Sequence, residues 1–300
     1  MKSKKQKLFK IISIGVGIFL VIYLGISAYG ARQAMVIPRL PLTYQASSLG
    51  LAYEDVAFKS RGDNIILRGW YIPGENNDVI LIVHGGFQNR IDDNVDTPGM
   101  TRALVKKGYS VLLFDMRGRG ESEGEGLSLS NIDEDIGGAA DYLMSRGFST
   151  ENICIMGFST GAAAACIYSS RNEVGALILD GCFIDTTTMV VRQADAIHVP
   201  GFLVRFFIPG GIFFTRVMYG YHRVEPIDII PEVKYPILFI HEENDAFTTM
   251  EETLRLFKAS KNPVSEVWEA SSALHSQGFR VHPLEYVEKM DSFLKKLQLP

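Results

Sequence analysis

Ser159 stands between two glycines in GFSTG, residues 157–161, where the apolar run NICIM gives way to the alanine-rich TGAAAACIY. A serine hydroxyl is a weak nucleophile until a base removes its proton. A sharp strand-to-helix turn is one way to push the hydroxyl clear of the backbone toward such a base. Bulky side chains two residues before or after the serine would collide in that turn. Gly157 and Gly161 remove the collision, and the alanines at 162–165 let the following helix pack closely. The same turn aims the amide of Thr160 into the space above the serine. GxSxG alone is a weak signal; between a buried strand and a small-residue helix it points to a nucleophile rather than an ordinary turn.

Six histidines are available as the base. His84 and His241 end apolar runs, His198 and His222 lie in an irregular region, and His275 and His282 lie late in the chain. His275, in ASSALHSQGF, falls in the loop between the last expected strand and the last expected helix, which suits a base arriving above a sheet edge. His282 directly precedes Pro283 and is the second choice. The base needs an acid to fix its tautomer and stabilise the imidazolium. Asp245, in IHEENDAFTT, follows an apolar strand and is the first choice. Asp180, which also ends a strand, is the runner-up. Glu242 and Glu243 are closer to the strand end and are read as shaping the loop.

These groups need a scaffold that brings distant segments to one edge. Apolar or alternating runs predict strands over 53–60, 64–73, 78–84, 109–115, 152–157, 174–180, 235–241 and 264–270. Helix-like stretches lie between them over 98–107, 132–146, 160–170, 250–258 and 283–297. Apolar strands alternating with helices imply an α/β fold with a mostly parallel sheet covered on both faces. In such sheets ligands sit at the carboxyl ends of the strands, and each candidate residue comes just after a strand.

The motifs IVHGGFQNR, LLFDMRGRGES, MGFSTGA, PILFIHEENDAFTT and ALHSQGF, in that order, resemble the α/β-hydrolase superfamily. Within it the chain is most similar to bacterial membrane-anchored or secreted hydrolases of the serine aminopeptidase/dienelactone-hydrolase-like group. The resemblance covers about residues 53–297. It implies an eight-stranded α/β-hydrolase fold with a cap insertion at about 183–233. It also implies a triad of Ser159, Asp245 and His275 that needs no metal or organic cofactor. HGG, residues 84–86, resembles the first oxyanion loop, so Gly86 and Thr160 are the expected amide donors, with Phe87 as alternative to Gly86. DMRGRGES resembles the turn after the next strand; its glycines permit a tight loop and Arg117 is expected to tie it to its neighbours. The acid loop departs from the pattern: relatives often read His-Gly-x-x-Asp followed by a proline, whereas this chain has His241-Glu242-Glu243-Asn244-Asp245 with Thr248 in the proline's place.

Three hundred residues, 47% of them hydrophobic and 21% charged, suit one large α/β domain with additions. The first ten residues hold five lysines and no acid, so the remainder sits at −9 against −4 for the whole chain. An acidic body without a clustered Arg/Lys face argues against nucleic acid. Cys154, Cys166 and Cys182 show neither CxxC nor Cys/His spacing, which argues against a structural zinc or a disulfide framework. Residues 11–29 carry no charge and are long enough for a transmembrane helix. Lysines before that stretch predict a cytoplasmic N-terminus and an extracytoplasmic body. A cleaved signal peptide is the competing reading.

The expected layout is a basic tail over 1–10, an anchor over 11–29, a linker over 30–52 and a hydrolase domain over 53–300. Within 183–233 the aromatics crowd together, and three roles suit them: a cap over the site, simple packing onto the domain, or a face resting on the bilayer. Arg205, Pro209, Gly210, Gly211 and Arg216 argue against a second span there. The expected reaction is hydrolysis of an ester, thioester or amide on a small-molecule or lipid-like acyl substrate. Acyl transfer through the same triad is the alternative, and a non-catalytic binding protein of this fold would lack a triad member.

Overall fold

The computed structural model describes residues 2–126 and 131–297; positions 1, 127–130 and 298–300 of the expected segments lie outside it. Eight strands form one sheet: β1 (Glu54–Lys59), β2 (Ile66–Ile72), β3 (Val79–Val83), β4 (Ser110–Phe114), β5 (Ile153–Phe158), β6 (Ala176–Asp180), β7 (Ile237–Glu242) and β8 (Glu266–Ala270). Their order is β1-β2-β4-β3-β5-β6-β7-β8. The β1–β2 and β2–β4 pairs are antiparallel, and β4, β3, β5, β6, β7 and β8 pair in parallel.

Successive residues of a strand point to opposite faces, and here both faces are dry. Val79, Leu81 and Val83 of β3 join one core cluster, while Ile80 and Ile82 join the other. The first cluster is closed by α3 (Ile132–Ser145), α4 (Thr160–Ser169) and α8 (Met250–Ser260). The second is closed by α2 (Thr97–Lys106) and α10 (Pro283–Leu297), with the single turn α9 (Gly278–Val281) beside it. The three cysteines are buried and unpaired.

Between β6 and β7 the chain forms α5 (Thr186–Ala196), α6 (Gly201–Tyr219) and the short α7 (Pro226–Ile229). Pro209 and the two glycines after it lie inside a continuous α6. Beside it lies the N-terminal helix α1 (Lys2–Met35). The Tyr23 hydroxyl of α1 accepts from the Gly210 amide at 3.2 Å and donates to the Phe206 carbonyl at 3.3 Å, bracing the α6 backbone beside the proline. Both α1 and α6 are long and apolar enough to cross a membrane by length and composition.

Helix α1 continues past residue 29, and the stretch expected as a linker lies against the body. Ala31, Met35, Ile37, Ala46 and Leu49 are buried. Arg39 donates to the carbonyls of Gly120 at 2.9 Å and Gly124 at 3.2 Å.

Candidate active site

Ser159 follows β5 and caps α4 with φ 52° and ψ −112°, a conformation that costs energy for any residue with a Cβ. Its amide is held by the Asp180 carbonyl of the neighbouring strand at 2.8 Å. A Cβ at Gly157 would lie 2.4 Å from the Gly161 carbonyl, and one at Gly161 would lie 2.3 Å from the Val83 carbonyl. Both obstacles are backbone and cannot swing aside, so glycine is required at both positions. The turn leaves the half-buried Ser159 on the wall of a cavity of about 430 Å³ at the carboxyl edge of the sheet.

His275 lines the same cavity from the loop after β8. Its Nδ1 meets Asp245 Oδ2 at 2.6 Å. The Asp245 Oδ1 accepts from the amides of Phe247 at 2.6 Å and Thr248 at 3.1 Å, and Oδ2 also accepts from the Thr248 hydroxyl at 2.6 Å. Burial alone would raise the Asp245 pKa, but His275 and these donors outweigh it and hold the carboxyl below its ordinary value. Thr248 thus supplies two hydrogen bonds where a proline could supply neither.

With Nδ1–H given to Asp245, Nε2 is the basic nitrogen of His275. The ring packs against the Phe247 edge at 5.1 Å and against the backbone at Gly181, where a Cβ would come within 2.8 Å of Cε1. Among the described residues the Ser159 hydroxyl makes no side-chain hydrogen bond. Sites of this kind often close that contact only when substrate arrives. Ligand-type atoms of Glu242, Asp245 and His275 lie within 4.8 Å of one another, and His275 Nδ1 and Asp245 Oδ2 are already joined by their hydrogen bond.

The HGG loop meets the elbow. A Cβ at Gly86 would lie 2.8 Å from the Thr160 hydroxyl, so the two segments touch. The amides of Gly86, Phe87 and Thr160 donate to no acceptor among the described residues, while the Gly86 carbonyl accepts from Arg119 Nη2 at 3.1 Å.

A family model for serine aminopeptidases, S33, matches residues 74–207. The uncharacterized protein YqkD of Bacillus subtilis is 23% identical over 77% of this chain and 76% of its own length. The thiohydrolase aneE of Aspergillus aculeatus is 30% identical over 48% of this chain and 49% of its own. Among solved structures, the esterase Pf2001 of Pyrococcus furiosus superposes with a TM-score of 0.74 at 25% identity. The match covers 87% of this chain and 98% of that one. The chain has an α/β-hydrolase fold and is an enzyme of that type.

The other candidates of this hydrolase lie elsewhere. His282 Nε2 contacts the Ser271 carbonyl at 2.6 Å and does not line the cavity. Asp180 is fully buried and its Oδ2 accepts from the Tyr286 hydroxyl at 2.5 Å. Burial raises the pKa of Asp180, and it raises that of Glu242 strongly, with the Asp180 charge as second cause. Glu242 is the last residue of β7 and stands where relatives often carry glycine, so reading it as a loop-shaping residue missed a buried carboxyl pair behind His275. The mismatch with the glycine was the available signal.

His84 donates from Nδ1 to the Gly85 carbonyl at 2.8 Å and accepts from the Met116 amide at 3.1 Å. Burial lowers its pKa to about 3, so the hydrolase carries it as a neutral peg between two loops. Arg117 ties the turn after β4 to Asp135 and Asp63, each at 2.7 Å. Arg119, two residues on, was not singled out in the sequence. It donates to the backbone carbonyls of Gly86 and Arg117, which leave no residue-type signature.

Proposed function

We propose that this hydrolase cleaves acyl esters, thioesters or amides through a Ser159-bound acyl-enzyme. The observation that carries the reading is the His275–Asp245 hydrogen bond on the wall of the cavity that also holds the Ser159 elbow. Ser159 Oγ attacks the carbonyl carbon while its proton passes to His275 Nε2. Asp245 keeps the proton on Nδ1 and stabilises the imidazolium. The oxyanion accepts from the amides of Gly86 and Thr160, donors that matter because they meet charge developing only in the transition state. Collapse breaks the bond to the leaving group, which takes the proton from His275. Water then attacks the acyl-enzyme, gives a proton to His275, and the carboxylic acid leaves as Ser159 regains its hydrogen.

The same proposal includes the layout of the chain. Residues 11–29 anchor it in a membrane, the lysines of 1–10 stay on the cytoplasmic side, and the body from residue 53 lies on the far side. The order of charges around the apolar stretch supports this orientation.

The test is labelling of the full-length protein with a fluorophosphonate, together with hydrolysis of p-nitrophenyl acetate. Wild type is expected to label and to turn over; Ser159→Ala is expected to do neither, with a rate loss of about 10⁴-fold or more. Labelling that survives in Ser159→Ala overturns the assignment.

A further inference from the structure

Helix α6 presents a largely exposed apolar stripe beside its contact with α1. Phe202, Phe213 and Val217 are 70%, 57% and 64% exposed, and with Phe206 they follow one another at helical spacing along one face. Exposed apolar surface of this extent marks a place where something other than water is the partner.

The neighbour of α6 says what that partner is. Tyr23 of α1 packs edge-on to Phe206 and stacks on Phe207, with ring centroids 5.3 Å apart in both pairs. Phe19 lies 6.3 Å from Phe206. Ser27 fits against Gly210, where a Cβ would lie 2.3 Å from its hydroxyl. Phe19, Tyr23 and Ser27 belong to the uncharged stretch 11–29. At about 1.5 Å per residue they sit roughly 12–24 Å into that stretch. Whatever medium bathes α1 at this depth also bathes α6.

The backbone agrees. The Tyr23 hydroxyl serves both the Phe206 carbonyl and the Gly210 amide. Protein-supplied partners are what a dry medium demands, because lipid offers no hydrogen bonds. Arg205 and Arg216 bracket the ten uncharged residues 206–215.

The other side of this hairpin is the candidate active site. Met189, Gln193 and Ile197 of the α5 segment line the cavity, and Gly201 at the start of α6 packs against Val191 of α5. Ile197 both lines the cavity and is 72% exposed, so the cavity rim is continuous with the apolar hairpin.

We infer that α6 is embedded in the acyl-chain region of a phospholipid bilayer beside α1, and that the substrate is a bilayer-resident acyl ester entering past Ile197. The substrate clause rests on the proposed hydrolysis; the bilayer clause does not.

The test uses full-length protein in phosphatidylcholine–phosphatidylglycerol vesicles. The native cysteines are buried. Phe213→Cys, Val217→Cys and, as control, Leu284→Cys on α10 each carry an environment-sensitive nitrobenzoxadiazole label; Leu284 is 84% exposed. Labels at 213 and 217 are expected to emit blue-shifted light quenched by doxyl-labelled phosphatidylcholine, and the label at 284 to emit as in water. Water-like emission at 213 and 217 overturns the inference. So does blue-shifted emission that doxyl lipids leave unquenched while the unlabelled Phe213→Cys variant cross-links to a second copy of itself.

The second arm compares p-nitrophenyl acetate in solution with p-nitrophenyl palmitate in vesicles. The double variant Phe213→Glu, Val217→Glu is expected to keep the first rate within about 3-fold and to lose about 10-fold or more on the second. Equal rates of variant and wild type on the palmitate overturn the substrate clause. A wild type that hydrolyses neither ester overturns the proposed hydrolysis, and the fluorescence arm still decides the bilayer clause.

Discussion

The carboxyl edge of the sheet and the α1–α6 pair sit in one chain and are held by opposite means. At the sheet edge the protein supplies the partners itself. Asp245 receives hydrogen bonds from Phe247, Thr248 and His275, and the Gly86 carbonyl rests on Arg119. Such a constellation keeps its geometry because second contacts lock each side chain. In the α1–α6 pair, rings and glycines touch and the apolar surface faces outward. One tyrosine hydroxyl does the hydrogen bonding at the proline. The first region is specified by its internal contacts whatever surrounds it; the second depends on its medium. Perturbations should therefore divide cleanly between them.

The largest effect is expected at the sheet edge. Arg117 holds the fully buried Asp135 and also Asp63. Arg117→Met leaves Asp135 buried without its cation, a loss of about 3–5 kcal/mol. Urea unfolding should show it as a lower midpoint. A change below about 1 kcal/mol would mean that internal charge pairing does not hold this edge.

Next comes Asp92, on the cavity wall. Burial raises its pKa to about 6, against hydrogen bonds from the Asn94 and Val95 amides. The unfolded aspartate ionises near 3.8 while the folded one stays neutral until about 6. Its contribution to stability is therefore full at low pH and falls away across that window, by about 2–3 kcal/mol. Asp92→Asn removes the loss, so the variant should gain on wild type in melting temperature between pH 4 and pH 7. A difference that stays flat over that range would contradict the assignment.

Much of the candidate site at the sheet's carboxyl edge was legible because its requirements are steric or periodic. The strained elbow admits only glycine at 157 and 161, and that shows in the sequence as a motif. Parallel strands buried on both faces read as unbroken apolar runs, and α10 begins where it was expected, at Pro283. What stayed hidden depends on partners far apart in sequence or on partners without side chains. Arg119 acts on a carbonyl. Asp180 and Tyr286 meet only after the sheet and α10 have packed. Helix α6 carries Pro209 in its interior, and the hydroxyl that braces its backbone there comes from Tyr23 in α1. The reach of α1 to Met35 was hidden too, because its last turns are buried against the body and not in the apolar stretch.

A smaller effect separates Arg119 from Arg117. Arg119 is buried and donates to the carbonyls of Gly86 and Arg117, so in the proposed mechanism it positions the oxyanion loop without touching substrate. Arg119→Met is expected to lower kcat by roughly 10–100-fold with KM nearly unchanged, since the loss falls on the transition state. Arg119→Lys, which keeps a donor, should recover part of it. A fall shared equally by kcat and melting temperature, with no recovery by lysine, would make the residue merely structural.

The smallest effect tests the other half of the comparison. Tyr23→Phe keeps both ring contacts and deletes only the hydroxyl between Phe206 and Gly210. If water bathed α6, a solvent molecule would replace that hydroxyl and the change would be nearly neutral. In lipid no replacement exists, so the lost bracing should cost about 1 kcal/mol. Hydrogen exchange of the α6 amides in vesicles reads this directly. Exchange around Gly210 should quicken by about 5-fold, the factor corresponding to that energy, while the melting temperature of the sheet domain stays put. Unchanged exchange at Gly210 would mean that solvent reaches α6 beside the proline, and the contrast between the two regions would then be one of packing alone.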